Sequence, residues 1–126
     1  MAKIVKSAVF LALVLSALPV LFALEAKRVV VCTAVENREP AGASESFPAS
    51  AGELVCFSEV TGAGGAAEIT HVWSLDGAER FRVSLPVRAD RWRTWSRKRV
   101  SPGSWTVTVL GPSGEELGKA SFTVTP

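Results

Sequence analysis

From residue 28 onward, apolar and polar side chains alternate with a period of two, in short runs separated by turn-forming residues. The pattern predicts seven strands: 28–35, 53–60, 68–75, 79–87, 91–99, 104–110 and 117–124. In "FRVSLPV" the apolar face is Phe81, Val83, Leu85 and Val87, opposite Arg82 and Ser84, and Pro86 marks an edge or a bulge. In "ITHVWSL" Ile69, His71, Trp73 and Leu75 share a face, as do Trp105, Val107 and Val109 in "SWTVTVL" and Phe122 and Val124 in "SFTVT". Such alternation buries one face of each sheet. "DGAE" at 76–79 reads as a turn and "GPSGEELG" as a hairpin connection. Segments 36–52 and 61–67, rich in Ala, Gly, Ser, Glu and Pro, read as loops, and no stretch has the period of an amphipathic helix.

Seven short strands in about 100 residues predict an all-β, two-sheet β-sandwich of immunoglobulin-like general form. Immunoglobulins staple their two sheets with widely spaced cysteines, whereas Cys32 and Cys56 fall in the first two predicted strands, so the strand topology stays open.

The amino terminus has a different character. Lys3 and Lys6 precede an apolar run from Ala8 to Ala23, broken only by Ser16 and Pro19, which is the pattern of an export signal. Small residues at Ala23 and Ala26 offer cleavage sites. The expected organisation is a signal peptide or N-terminal membrane anchor over 1–26 and one domain over 27–126. The expected location is the periplasm or, if the segment is retained, the inner membrane through residues 4–23. A lipoprotein is excluded, because Val31 precedes Cys32 and the charged Lys27 and Arg28 separate it from the apolar run.

Removal of residues 1–26 takes away Lys3, Lys6 and Glu25 and leaves 12 basic and 11 acidic side chains. A domain so close to neutral lacks the overall electrostatic footprint of a nucleic-acid partner. Its size allows a single core, and a monomer is expected. In an oxidising compartment Cys32 and Cys56 are expected to form a disulfide between neighbouring strands; the alternative is two small buried hydrophobes that never meet. Two cysteines and one histidine do not complete a closed zinc site, so neither metal nor cofactor is expected.

The catalytic alternatives centre on His71, the one histidine. A small hydrolase would recruit it with Ser96 and with Asp90 or Asp76, yet no nucleophile elbow accompanies them. Glu115 and Glu116 lie in a turn and Asp76 in another, where acids serve turn geometry. The chain is therefore expected not to be an enzyme.

The stretch "RWRTWSRKRVSPGSW" sets three of the four tryptophans among Arg91, Arg93, Arg97, Lys98 and Arg99. On a regular strand Trp92, Thr94 and Ser96 share one side, and Arg91, Arg93, Trp95, Arg97 and Arg99 the other. Trp92 is then expected to enter the core with Trp73 and Trp105. Trp95 between Arg93 and Arg97 is expected to form an outer surface that either shields an edge strand or contacts an acidic or glycan-bearing envelope partner. A β-bulge between the tryptophans would instead send both to the core.

"CTAVENREP", "CFSEVTG", "ITHVW", "RWRTWSRK" and "PGSWTVTVLGPSGEELGKASFTV", in this order and spacing, resemble the bacterial domain of unknown function numbered 2914 over almost the whole of residues 27–126. Its motif positions are His71, Trp73, Trp92, Ser96 and Trp105. The resemblance implies an exported or membrane-associated β-sandwich and no assigned activity.

Overall fold

The structure, a computed structural model, describes residues 24–126. Most of the expected export segment therefore lies outside the described residues. Ten strands form: β1 (Glu25–Cys32), β2 (Ala34–Glu36), β3 (Glu39–Ala41), β4 (Ser46–Pro48), β5 (Glu53–Thr61), β6 (Ala67–Leu75), β7 (Ala78–Val87), β8 (Arg91–Arg99), β9 (Gly103–Leu110) and β10 (Glu116–Thr125). They make a three-stranded sheet in the order β1-β5-β8, a five-stranded sheet β4-β10-β9-β6-β7, and a two-stranded ribbon β2-β3. Every pairing is antiparallel except the short contact of β4 with β10. The seven expected strands are all present, and the architecture is the expected all-β sandwich.

The segment 36–52 is not the plain loop its composition suggests. It holds β3, β4 and a single 3-10 turn at Ala49–Ala51. β2 and β3 are joined through Asn37 and Arg38 at φ 53° and 61°, a two-residue turn with both residues in the left-handed region, the geometry whose twist matches the strands it connects. The apolar runs there are too short to reveal strands; they pair because the ribbon folds against the outside of the three-stranded sheet.

That covering explains β5. Seven consecutive residues of it, Leu54–Val60, are buried, although Ser58 and Glu59 are among them. Leu54, Cys56, Ser58 and Val60 face the five-stranded sheet, while Val55 and Phe57 lie outward beneath the ribbon with Cys32, Val35 and Trp95. The main core joins the sheets through an aromatic group in which Trp73 meets Trp105 and Phe122 edge-on at centroid distances of 6.5 and 6.2 Å, and Trp105 stacks on Phe122 at 6.1 Å.

The cysteine expectation is corrected here. Cys32 stands opposite Val55 and Val31 opposite Cys56, so the two cysteines sit one register position apart on adjacent strands. A one-residue offset turns their side chains to opposite faces of the sheet. Cys56 packs into the core between the sheets and Cys32 into the cluster under the ribbon; both are buried free thiols. Burial raises both thiol pKa values.

β5 and β8 pair without interruption from Glu53↔Arg99 to Thr61↔Arg91. No bulge separates Trp92 from Trp95, and the two indoles leave the strand on opposite faces. Trp92 points inward as expected but joins Val60, Ile69, Val87 and Val109 rather than Trp73 and Trp105.

Candidate functional site

His71 projects from β6 into the space between the sheets, fully buried. Its Nε2 lies 2.7 Å from Ser58 Oγ and its Nδ1 2.6 Å from Ser96 Oγ, while Trp73 Nε1 donates to the same Ser96 Oγ at 3.0 Å. Three motif positions expected from the sequence, His71, Trp73 and Ser96, thus form one hydrogen-bonded group, and Trp105 packs beside it through Trp73. Ser58 is not among the expected positions, although it is the one polar residue on the inward alternation of "ELVCFSEV", a signal that a core partner is waiting. Desolvation pushes the His71 pKa down to about 4, so the ring is neutral at pH 7. A neutral imidazole held between two hydroxyls satisfies three buried side chains and ties β5, β6 and β8 together. The acids considered for a triad are elsewhere: Asp76 Oδ1 accepts the Ser104 amide at 3.0 Å and Asp90 Oδ1 the Gly64 amide at 3.4 Å.

On the outer face of the three-stranded sheet, Arg28, Glu59 and Arg93 are cross-strand neighbours on β1, β5 and β8. Arg28 holds Glu39 of the ribbon through two bonds of 2.9 and 2.8 Å and donates from Nε to Glu59 at 2.9 Å; Arg93 bridges to Glu39 at 2.9 Å. Arg93 also donates to the Arg38 carbonyl at 3.2 Å. Its partners make Arg93 the clamp of the ribbon, a structural task the sequence did not disclose. The Arg28 guanidinium beside Glu39 holds that carboxyl below the usual range. Trp95 is half-buried, stacked on Phe57 across the strand pair at 6.2 Å and 12°. The cation over an aromatic face here is Arg28 on Phe57 at 5.0 Å, not an arginine on Trp95. Arg97 stands exposed on the same outer face.

The two sheets differ in width. β7 is the edge of the five-stranded sheet and β8 the edge of the three-stranded one, with no hydrogen bonds between them. Phe81, Val83 and Leu85, opposite Trp73, His71 and Ile69 in register, belong to the inward face of β7; Leu85 packs with Trp92 on the cluster of Val60 and Ile69, while Phe81 and Val83 lack a covering strand. Phe81 is 37% exposed, the one exposed large hydrophobic side chain among the described residues. Two concavities lie along this edge. One, of about 320 Å³, is lined by Trp92, Trp95, Arg38, Arg88, Arg93 and Pro86 among others. The second, of about 450 Å³, is lined by Trp105, Arg80, Lys98 and Arg99 with Val100 and Ser101. Neither has an acidic residue in its lining. Concavities elsewhere on the surface carry Glu45 or Glu115. The edge between β7 and β8 is thus a basic, tryptophan-lined cleft on a domain of nearly balanced charge.

A family model described as "Protein of unknown function (DUF2914)" matches residues 66–124. Over β6 to β10 the chain is similar to the DUF2914 family. The DUF2914 match includes every motif position and both cleft strands, but it omits β1 to β5, so "CTAVENREP" and "CFSEVTG" fall outside it. Ser58, which completes the histidine group, comes from the unmatched part. None of the curated proteins compared with the chain matches it. Among the described residues, no three His, Cys, Asp or Glu side chains converge as a metal site requires, and no helix is long and apolar enough to cross a membrane.

Proposed function

We propose that this domain is a non-catalytic binding module of the bacterial cell envelope, exported through its amino-terminal segment, and that the β7–β8 edge is its contact surface for an acidic partner. The observation that carries the reading is the cleft: two concavities along one edge, with the half-buried Trp92 and Trp95, six basic side chains and no carboxylate in their linings. Basic clefts with low-dielectric walls concentrate anions, and indoles add contact area that salt does not screen. Trp95 lines this surface, Arg97 stands exposed beside it on the outer face of β8, and Arg93 serves it from within the ribbon clamp. The non-catalytic part rests on the burial of His71, Ser58 and Ser96, which leaves the imidazole and both hydroxyls out of a substrate's reach.

The test is retention of the full chain, in mild detergent, on immobilised polyglutamate across a salt gradient. Reversal of the exposed Arg88, Arg97 and Arg99 to Glu is expected to abolish retention while the stability stays within about 1 kcal/mol of the parent, as for surface changes away from buried features. Unchanged retention of that triple variant refutes the assigned surface.

A further inference from the structure

The unequal width of the two sheets points to a specific kind of partner. The five-stranded sheet extends past the three-stranded one at β7, where the inward side chains Phe81 and Val83 face no strand, while Leu85 reaches the cluster of Trp92. The vacant position is the fourth place of the opposite sheet, beside β8.

The backbone of β8 is oriented to accept a strand there. Gly62 donates its amide to the Asp90 carbonyl at 2.9 Å, and Val100 donates to the Gly52 carbonyl at 2.9 Å. In an antiparallel pair the residues that exchange hydrogen bonds alternate with those that do not. With these two bonds at even positions of β8's register, Trp92, Thr94, Ser96 and Lys98 direct their backbone groups to β5. Arg91, Arg93, Trp95, Arg97 and Arg99 direct theirs to the free edge. Those are the residues whose side chains lie on the outer face, so basic charge and free backbone groups recur together about every 7 Å, the repeat of a strand. Lys98 already uses the Arg99 carbonyl at 2.8 Å, which closes the far end of the edge.

We propose that β8 takes up an extended segment of a partner protein by strand addition, and that the segment alternates apolar residues on one face with acidic residues on the other. This rests on the binding reading above and names its ligand class. Main-chain bonds to Arg93, Trp95 and Arg97 hold the segment, in the manner of sheet-edge recognition. Its apolar face covers Phe81 and Val83, and its acidic face meets the arginines of the outer surface. Trp95 carries Phe57 on the side toward β5; the residue opposite it on an added strand occupies the other side. A second copy of this chain does not fit, because β8 paired with β8 sets arginine against arginine, and like charges directly opposite destabilise a sheet pair. A glycan matches the charge and the indoles but leaves the alternating backbone groups without partners.

The experiment compares three probes on the full chain: a nine-residue peptide alternating valine and glutamate, the same peptide with its glutamate nitrogens methylated, and polygalacturonate. Strand addition predicts that the unmodified peptide binds at least tenfold more tightly than the methylated one. It also predicts slowed amide exchange at Arg93, Trp95 and Arg97 and not at Thr94, whose amide is already engaged by β5. Equal binding of all three probes, without protection of those amides, overturns strand addition and leaves the anionic surface standing. Preference for polygalacturonate overturns it in favour of a glycan. If none of the probes binds, strand addition fails. The binding reading itself falls only if charge reversal also leaves polyglutamate retention unchanged.

Discussion

Acidification from pH 7.5 to 5.0 should destabilise this domain by about 2 kcal/mol through a single side chain, His71. Its folded pKa is about 4, depressed from 6.5 by desolvation between the sheets. The unfolded chain takes up a proton as pH falls through 6.5, and the folded chain does so only near 4. The stabilisation is therefore fully present above pH 6.5 and is lost progressively between 6.5 and 4. The whole shift corresponds to about 3 kcal/mol, since one unit is about 1.4 kcal/mol. At pH 5.0 roughly three-fifths of that has gone. The groups packed against the ring, Ser58 on β5, Ser96 on β8, Val83 on β7 and Val109 on β9, carry no charge that would offset the proton. Glu39, held low by Arg28, adds its own loss only as pH falls further, below the ordinary carboxylate range. Urea midpoints at the two pH values measure the effect, with His71→Gln as comparison. The variant is less stable at both pH values, but its slope between them should be nearly flat. A slope equal to that of the parent refutes the argument. Should the variant not fold, proton NMR of the parent gives the same answer: the His71 ring resonances should not titrate between pH 7 and 5.

Trp73→Ala and Trp105→Ala should each cost about 3 to 5 kcal/mol, the range for emptying a buried aromatic site, because both indoles and Phe122 pack on one another. Denaturation midpoints unchanged in either variant would refute the shared core. Cys32 and Cys56 should both resist alkylation in the folded protein and both react after unfolding without reductant, since each is buried and free on its own face of the sheet. An intact mass that rises by two hydrogens on reduction would show a bond the register does not permit.

Much of the architecture is legible in the amino-acid sequence. Alternation in "ITHVWSL", "FRVSLPV" and "SWTVTVL" names both the strands and their buried faces, because a period of two is a local property of the chain. The same alternation separates Trp92 from Trp95, and the turn residues Asp76 and Gly77 mark their hairpin. What alternation does not encode is what lies beyond a face. Outward positions Val55 and Phe57 are buried because a ribbon from a segment of loop-like composition folds over them, held by Arg28, Glu39, Glu59 and Arg93. Two cysteines in neighbouring strands suggest a bond, and a register offset of one residue forbids it. His71 sits on an apolar face with no visible reason until β5 and β8 bring Ser58 and Ser96 to its two nitrogens. The apolar face of β7 reads correctly as inward, but only the tertiary structure shows that Val87 and Leu85 are covered while Phe81 is left exposed. Each of these depends on residues far apart in sequence meeting across sheets, and pairing order and register are set by the packing of the whole domain rather than by any one strand.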